Sequence, residues 1–273
     1  MVSSIIEPGP GGAPSAALET DAFGEFERAS VAGWAVRRYG TIASTQDAAA
    51  SLPPWSAATA EIQTAGRGQW QRSFTSDRGG LYLTAVLPYD GNAARWRGFA
   101  LAVGLAVVSN FRAQSVADLR LRWPNDLMVG GRKAGGILVS QAKPDTLCVG
   151  LGLNVNNRPW LEDPGLEAAC CRLADVAPGH KLDFRQLSQL LLGAIRAAYV
   201  GFSLRGLGGI VDRLNECWGG ARDVRVEMAP ESPEPEISGR FVGVLADGDL
   251  ILADSLGRRT VVRAHLVKRL RER

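Results

Sequence analysis

The chain has 273 residues, 46% of them apolar and 22% charged, with a net charge of only +3. That is an ordinary globular composition, long enough for one large domain and one small one, and too weakly basic to argue for nucleic acid. Four cysteines without paired spacing and only two histidines argue against a zinc site or a His-based triad, and adjacent Cys170 and Cys171 are a poor structural disulfide, so no protein-held metal and a reducing, cytoplasmic setting are expected. No run approaches ~20 uninterrupted apolar residues, so no membrane span is expected. Residues 1–28, which begin Gly-, Pro- and Ser-rich, read as a flexible tail rather than a secretory signal.

Residues 33–39 alternate apolar and polar and predict an opening strand. Ser44 or Thr45 then caps a short Ala-rich helix that Pro53-Pro54 ends. A second strand is expected over 59–64. Residues 65–80 have neither helical nor strand period and carry Arg67, Arg72 and Arg78 among glycines; a loop of that length is more often functional than passive. A buried strand over 81–87 and a long apolar helix over 93–111 follow, with Gly98 and Gly104 implying close packing. Residues 119–141 read as a hairpin about Gly130-Gly131. It places Asn125 and Asp126 near one end of the first strand and returns Lys133, Gly135 and Gly136 beside them. One cation, one carboxylate and bare backbone amides on a rigid frame suit an anionic transition state. A strand over 146–156, an irregular stretch over 158–181, a helix opened by Asp183 with Gln186 in a capping pattern, and a helix over about 209–218 complete the larger part. Composition shifts at Gly219-Gly220. Short strands at 223–228, 237–245, 250–253 and 260–263, with a turn at 247–249, predict a small barrel, and the basic terminus reads as a solvated end.

Four blocks together resemble the biotin protein ligase family. They are Ser44-Thr45-Gln46; Gln63-Thr64-Ala65-Gly66-Arg67-Gly68 with Arg72 and Gly79-Gly80; Trp123-Pro124-Asn125-Asp126 with Lys133-Ala134-Gly135-Gly136; and Gly150-Leu151-Gly152-Leu153-Asn154. The resemblance implies an α+β fold: a mixed sheet packed with helices, class II synthetase-like, over 29–218, and an SH3-like β-barrel over 219–273. Only about thirty residues precede the first expected strand, so the short class without an N-terminal DNA-binding domain is expected.

The implied activity is a two-step acyl transfer using ATP, Mg²⁺ and biotin. Biotinyl-5′-adenylate forms first, and a lysine of a biotin carboxyl carrier protein or domain then takes the biotinyl group. By resemblance the catalytic residues are Lys133, Arg67, Arg72 and Asp126, the last either holding Lys133 or deprotonating the incoming lysine. Biotin falls to Ser44, Thr45, Gln63, Gly66, Arg67, Thr84, Lys133, Gly136 and Gly152. The adenylate falls to Gly68, Gln69, Arg72, Asn125, Lys133 and Asn154. Gly66, Gly68, Gly135 and Gly136 are expected to let backbone approach the ligand. No DNA and no membrane partner is expected, and the family includes monomers as well as dimers paired through a sheet edge.

The chain departs from the family loop. Gln69 replaces a cation that helps retain the adenylate, Gln71 replaces a glycine and should stiffen the loop, Phe74 stands for a tryptophan and Thr84 for a serine. The rival readings are a lipoate or octanoate ligase or transferase of related fold, a nucleic-acid-binding regulator, and an inactive adenylate-binding module.

Overall fold

The computed structural model describes residues 17–115, 117–166, 169–176, 183–218 and 222–272. The larger part contains β1 (Leu18–Asp21), β2 (Gly24–Val31), β3 (Trp34–Ile42), α1 (Thr45–Ala50), β4 (Ser56–Gln63), β5 (Leu81–Pro88), α2 (Phe99–Ala113), β6 (Arg120–Arg122), β7 (Asp126–Val129), β8 (Arg132–Lys143), β9 (Thr146–Leu153), α3 (Leu173–Val176), α4 (Phe184–Arg205) and α5 (Val211–Cys217). Its nine strands form one sheet in the order β1-β2-β3-β4-β5-β9-β8-β7-β6. The sheet is mixed, as expected: β3 and β4 run parallel and the other pairs antiparallel.

Strand alternation sorts the sheet into two faces. Leu81, Leu83, Ala85 and Leu87 of β5 join Leu147, Val149, Leu151 and Leu153 of β9 in the core that also holds buried residues of α2 and α4. Val86 and Cys148 point the other way, into a smaller core with Ala48 and Ala49 of α1. That second face is only partly covered by the six-residue α1, and the room left over is where the cleft lies. Among the described residues α4 is the one helix long and apolar enough to cross a membrane by length and composition. Leu187, Leu191, Ile195 and Phe202 nevertheless bury one side of it in the core.

The remaining strands, β10 (Arg222–Met228), β11 (Glu236–Val244), β12 (Leu250–Ala253), β13 (Arg259–Val262) and β14 (Val267–Glu272), form a separate antiparallel sheet in the order β13-β12-β11-β10-β14, compatible with an SH3-like module. It is not an appendage. Val224, Phe241 and Leu250 belong to the same continuous core as Leu121, Leu207 and Trp218, and the Trp123 indole donates to the Gly248 carbonyl at 3.1 Å. The expected boundary near residue 219 lies outside the described residues.

Several expectations change. The tail expected to reach residue 28 is strand from Leu18 onward, while its first sixteen residues lie outside the described residues. Asp21 makes the difference: its carboxylate accepts from Phe23 N at 2.8 Å to shape the turn, and from Arg37 and Tyr39 of β3, each at 2.6 Å. The long helix starts at Phe99 rather than 93, because Gly98 is left-handed and starts it as N-cap. The 119–141 hairpin is a three-strand meander, since Trp123-Pro124-Asn125 makes its own turn between β6 and β7. The terminus read as a solvated end is β14, paired with β10.

Candidate active site

A cleft of about 630 Å³ opens on the α1 side of the large sheet, within the range typical of small-molecule sites. Its floor is sheet without side chains. Gly136 pairs with Gly152, and Gly150 lies between Leu138 and Thr84 in neighbouring strands, so these residues share one face. A strand glycine marks close approach of another group. Here the vacated volume is partly used from within: a Cβ on Gly150 would stand 3.0 Å from the Gln46 amide, and one on Gly152 would stand 2.6 Å from the Phe74 ring.

One end of the cleft is uncharged and tied together by side-chain hydrogen bonds. Ser44 caps α1, accepting from Gln46 N at 3.2 Å. Thr84 Oγ1 donates to Thr45 Oγ1 at 2.9 Å, which donates to Gln63 Oε1 at 2.9 Å; that oxygen also takes Thr45 N at 2.8 Å. Gln63 Nε2 continues the relay to Ser76 Oγ at 2.9 Å. Gln46 donates to the Leu138 carbonyl at 3.2 Å, but its buried Oε1 has no protein partner. Buried polar atoms are rarely left without a partner, which marks Gln46 as an unusual group in the wall.

The other end is cationic. Lys133 Nζ lies 2.6 Å from Asp126 Oδ1, and Arg122 Nη2 lies 2.6 Å from Asp126 Oδ2. Burial pushes the Asp126 carboxyl up, but Lys133 and Arg122 outweigh it and hold it below the usual carboxylate range. An ionised carboxylate clamped by two cations is a poor proton acceptor, so holding Lys133 is the role its geometry favours. Strand alternation alone would put Lys133 and Gly136 on opposite faces, three residues apart. The register shift in β7–β8, where Leu127 pairs with Gly135 and Met128 with Lys133, makes Ala134 the bulged residue and turns Lys133 onto the cleft side. The absent Gly136 side chain leaves room for the ammonium, 3.5 Å from where a Cβ would stand. The segment around Cys170 fixes the backbone: Lys133 N donates to the Ala169 carbonyl at 2.8 Å and Cys171 N to the Lys133 carbonyl at 2.9 Å.

The loop after β4 forms the lid side. Arg67 donates to Asp47 of α1 at 2.8 Å at the rim, Gly68, Gln69 and Arg72 line the cleft, and Arg72 donates to the Lys268 carbonyl at 2.7 Å. Trp70 and Gln71 both have left-handed backbone, φ 57° and 56°, costing about 1–3 kcal/mol each for non-glycine residues. The stiffer loop expected from Gln71 is thus a strained one.

The cleft therefore gathers Ser44, Thr45, Gln63, Arg67, Gly68, Gln69, Arg72, Thr84, Asn125, Asp126, Lys133, Gly136, Gly152 and Asn154. Gly66 is the exception. A Cβ there would stand 2.3 Å from the Phe74 carbonyl, so its smallness serves the loop's own return stroke and not a ligand. Gly135 is likewise corrected: its Cβ would meet the Gly152 carbonyl at 2.3 Å, a strand-packing constraint. Asn125 and Asn154 spend their amide donors on the Ile137 and Cys171 carbonyls, at 2.7 and 3.2 Å, and so brace the walls.

The sequence reading missed Gln46, Arg122 and β14. Gln46 sat inside a quoted block but read as helix. Arg122 precedes the Trp-Pro-Asn-Asp corner by one residue, and its i,i+4 spacing to Asp126 was the available signal. β14 carries Lys268, Arg269, Arg271 and Glu272 into the cleft wall, and nothing local marks a C-terminal strand as part of a distant site. Lys268 pairs with Glu227 and Glu272 with Arg222, each at 2.8 Å. Arg269 and Arg271 have no ion pair among the described residues. Burial and the neighbouring cations Arg271, Arg72 and Arg122 pull the Arg269 guanidinium below its usual value.

The chain is similar to proteins named as biotin ligases. The "Bifunctional ligase/repressor BirA" of Bacillus subtilis is 27% identical over 82% of this chain and 71% of its own length. The "Biotin--[acetyl-CoA-carboxylase] ligase" of Mycobacterium tuberculosis is 38% identical over 38% of this chain and 41% of its own length, and that of Paracoccus denitrificans 27% identical over 82% and 96%. The structure titled "Biotin protein ligase from Aquifex aeolicus in complex with biotin and ATP" superposes with TM-score 0.75 at 24% identity, covering 87% of this chain and 99% of that one, which shows the fold. Residues 36–156 match the Biotin/lipoate A/B protein ligase family. The chain therefore carries, over those residues, a domain of the biotin/lipoate A/B protein ligase family.

Proposed function

We propose that the protein is an ATP-dependent biotin protein ligase, forming biotinyl-5′-AMP and then transferring the biotinyl group to a lysine of a biotin carboxyl carrier protein or domain. The observation that carries this reading is one cleft with an uncharged, amide- and hydroxyl-lined end and a cationic end where Asp126 holds Lys133. A cyclic urea fits the first end: it is lined by Ser44, Thr45, Gln46 and Gln63, and the Thr84–Thr45–Gln63 relay fixes its polar groups. Ser44, Thr45, Gln63, Thr84 and the glycine floor would hold biotin. Gly68, Gln69, Arg72, Asn125 and Asn154 would surround the nucleotide.

In the first step a biotin carboxylate oxygen attacks the α-phosphorus, and the P–O bond to pyrophosphate breaks. Bringing two anions to ~4 Å costs about 4 kcal/mol at an effective dielectric near 20. Lys133 offsets that cost and follows the charge into the transition state, with Arg67 and Arg72 closing from the loop. In the second step the lysine amine attacks the acyl carbonyl, AMP leaves and the amine proton passes to solvent. Asp126 keeps Lys133 aimed throughout.

Mg²⁺ is expected with the triphosphate, but among the described residues no group of three or more His, Cys, Asp or Glu could hold a metal. Asp126 and Glu272 are already paired with cations, so no step is assigned to a protein-held ion. We also infer a working division at about 18–218 for the large sheet and its helices and 222–272 for the strand module, whose β14 completes the cleft wall. The test is incubation with biotin, ATP, Mg²⁺ and a carrier domain. One biotinyl amide on the carrier lysine, seen by mass, is the expected result; an unmodified carrier with lipoate, not biotin, raising the melting temperature would favour the lipoate reading.

A further inference from the structure

We propose that Trp70 is a positioning residue: its indole N–H, together with the Arg72 guanidinium, fastens the 66–72 loop to strand β14, so that loop and strand form one cradle for a polyphosphate. What the cradle holds rests on the ligase reading; the fastening stands on geometry alone.

Two adjacent non-glycine residues, Trp70 and Gln71, are held left-handed. Such a backbone relaxes unless its surroundings over-determine it. Inside the loop, Gly68 N donates to the Arg72 carbonyl at 2.7 Å and Arg72 N to the Gln69 carbonyl at 3.2 Å. Outside the loop, Arg67 donates to Asp47 of α1 at 2.8 Å at the start of the segment, and the restraints beside the strained pair come from β14: Trp70 Nε1 donates to the Val267 carbonyl at 3.2 Å, and Arg72 Nη2 to the Lys268 carbonyl at 2.7 Å. β14 is an edge strand, paired on one side only with β10, which leaves backbone acceptors for the loop. The Trp70 side is 45% exposed, so burial of the ring is a minor part of its hold.

The clasp has an electrostatic consequence. It brings Arg72 toward Arg269 and Arg271, neither of which has an ion pair among the described residues; Arg269 already feels Arg271, Arg72 and Arg122 as like charges, which the nearby Glu227 carboxylate only partly offsets. Without an anion this crowding works against closure. A bound pyrophosphate or triphosphate reverses the sign and tightens the loop onto β14. Trp70 supplies a neutral hold that does not depend on the anion, keeping the loop near its closed position before the ligand arrives.

The test is limited trypsin cleavage after Arg67 and Arg72 in wild type and Trp70→Phe, without biotin or nucleotide and then with inorganic pyrophosphate, fragments being assigned by mass. Trp70→Phe should be cut about fivefold faster at an unchanged melting temperature, the factor for one neutral hydrogen bond of about 1 kcal/mol. Pyrophosphate should protect both proteins, wild type more. Trp70→Ala should match Trp70→Phe. Wild-type cleavage rates in Trp70→Phe, with acceleration only in Trp70→Ala, would overturn the role of the N–H. In biotin-dependent pyrophosphate exchange, Trp70→Phe should raise the KM for ATP severalfold while kcat and the KM for biotin stay near wild type; a fall in kcat at unchanged KM overturns the positioning role. If wild type shows no exchange, the ligase reading fails while proteolysis still decides the clasp.

Discussion

Replacing Lys133 with alanine separates chemistry from stability, because the structure sets the two costs apart. Asp126 loses one of two cations but keeps Arg122 at 2.6 Å, so no carboxylate is orphaned. The Lys133 and Asp126 side chains are 31% and 17% exposed, which places the pair nearer the weak, partly solvated kind, worth about 1 kcal/mol, than a fully buried one. For a domain of this size that is a fall of about 2–4 °C in Tm. The chemical cost is larger. On the proposed mechanism Lys133 is the cation where carboxylate and α-phosphate would meet, and loss of one preorganised donor to developing charge lowers rates by about 10²–10³, or about 3–4 kcal/mol. Biotin- and ATP-dependent pyrophosphate exchange measures the second effect and thermal melting the first. A folded Lys133→Ala protein exchanging within about fivefold of wild type, on the ~1 kcal/mol scale of an ordinary contact, would remove Lys133 from the centre of the mechanism.

Asp126→Asn is expected to destabilise more than Lys133→Ala, by about 2 kcal/mol, since two partly solvated pairs of about 1 kcal/mol each are lost when Lys133 and Arg122 lose their counter-charge. The acid limb follows the same group. Its folded pKa is depressed, so its stabilisation is present above the unfolded value of about 3.9 and is lost as pH falls through the folded value; wild type should show this slope in acid denaturation and Asp126→Asn should lack that share of it. Gln69→Arg restores a cation at the cleft and should slow escape of labelled biotinyl-adenylate about tenfold or more, the scale of a charged hydrogen bond of about 1.5–3 kcal/mol; slow release that the substitution leaves unchanged would sink that idea. Because the strand module shares one apolar core with the larger part, calorimetry should record a single unfolding transition, and two resolved transitions would refute the shared core.

The residues that line the cleft were legible in two ways: the resemblance singled out Lys133, Asp126 and the arginine-bearing loop, all of which reach one cleft, and Ser44 could be placed as a helix cap because its hydroxyl satisfies a free N–H. The turns were harder. Trp123-Pro124-Asn125 closes a turn of its own, and the charged residues 18–31 gave little sign of strands because their exposed edge carries few apolar side chains.

The sequence by itself determined which groups are present and their order: the cation, the carboxylate, the glycine-bearing floor and the loop between strands. These follow from short-range spacing and residue chemistry. Only the tertiary structure decided which of them face one another. The Ala134 bulge turns Lys133 onto the cleft side, and β14 arrives from nearly two hundred residues away to accept hydrogen bonds from Trp70 and Arg72. A strand's side-chain direction depends on its partner's register and a backbone acceptor on which neighbour packs beside it, and neither is written in the residues that use them.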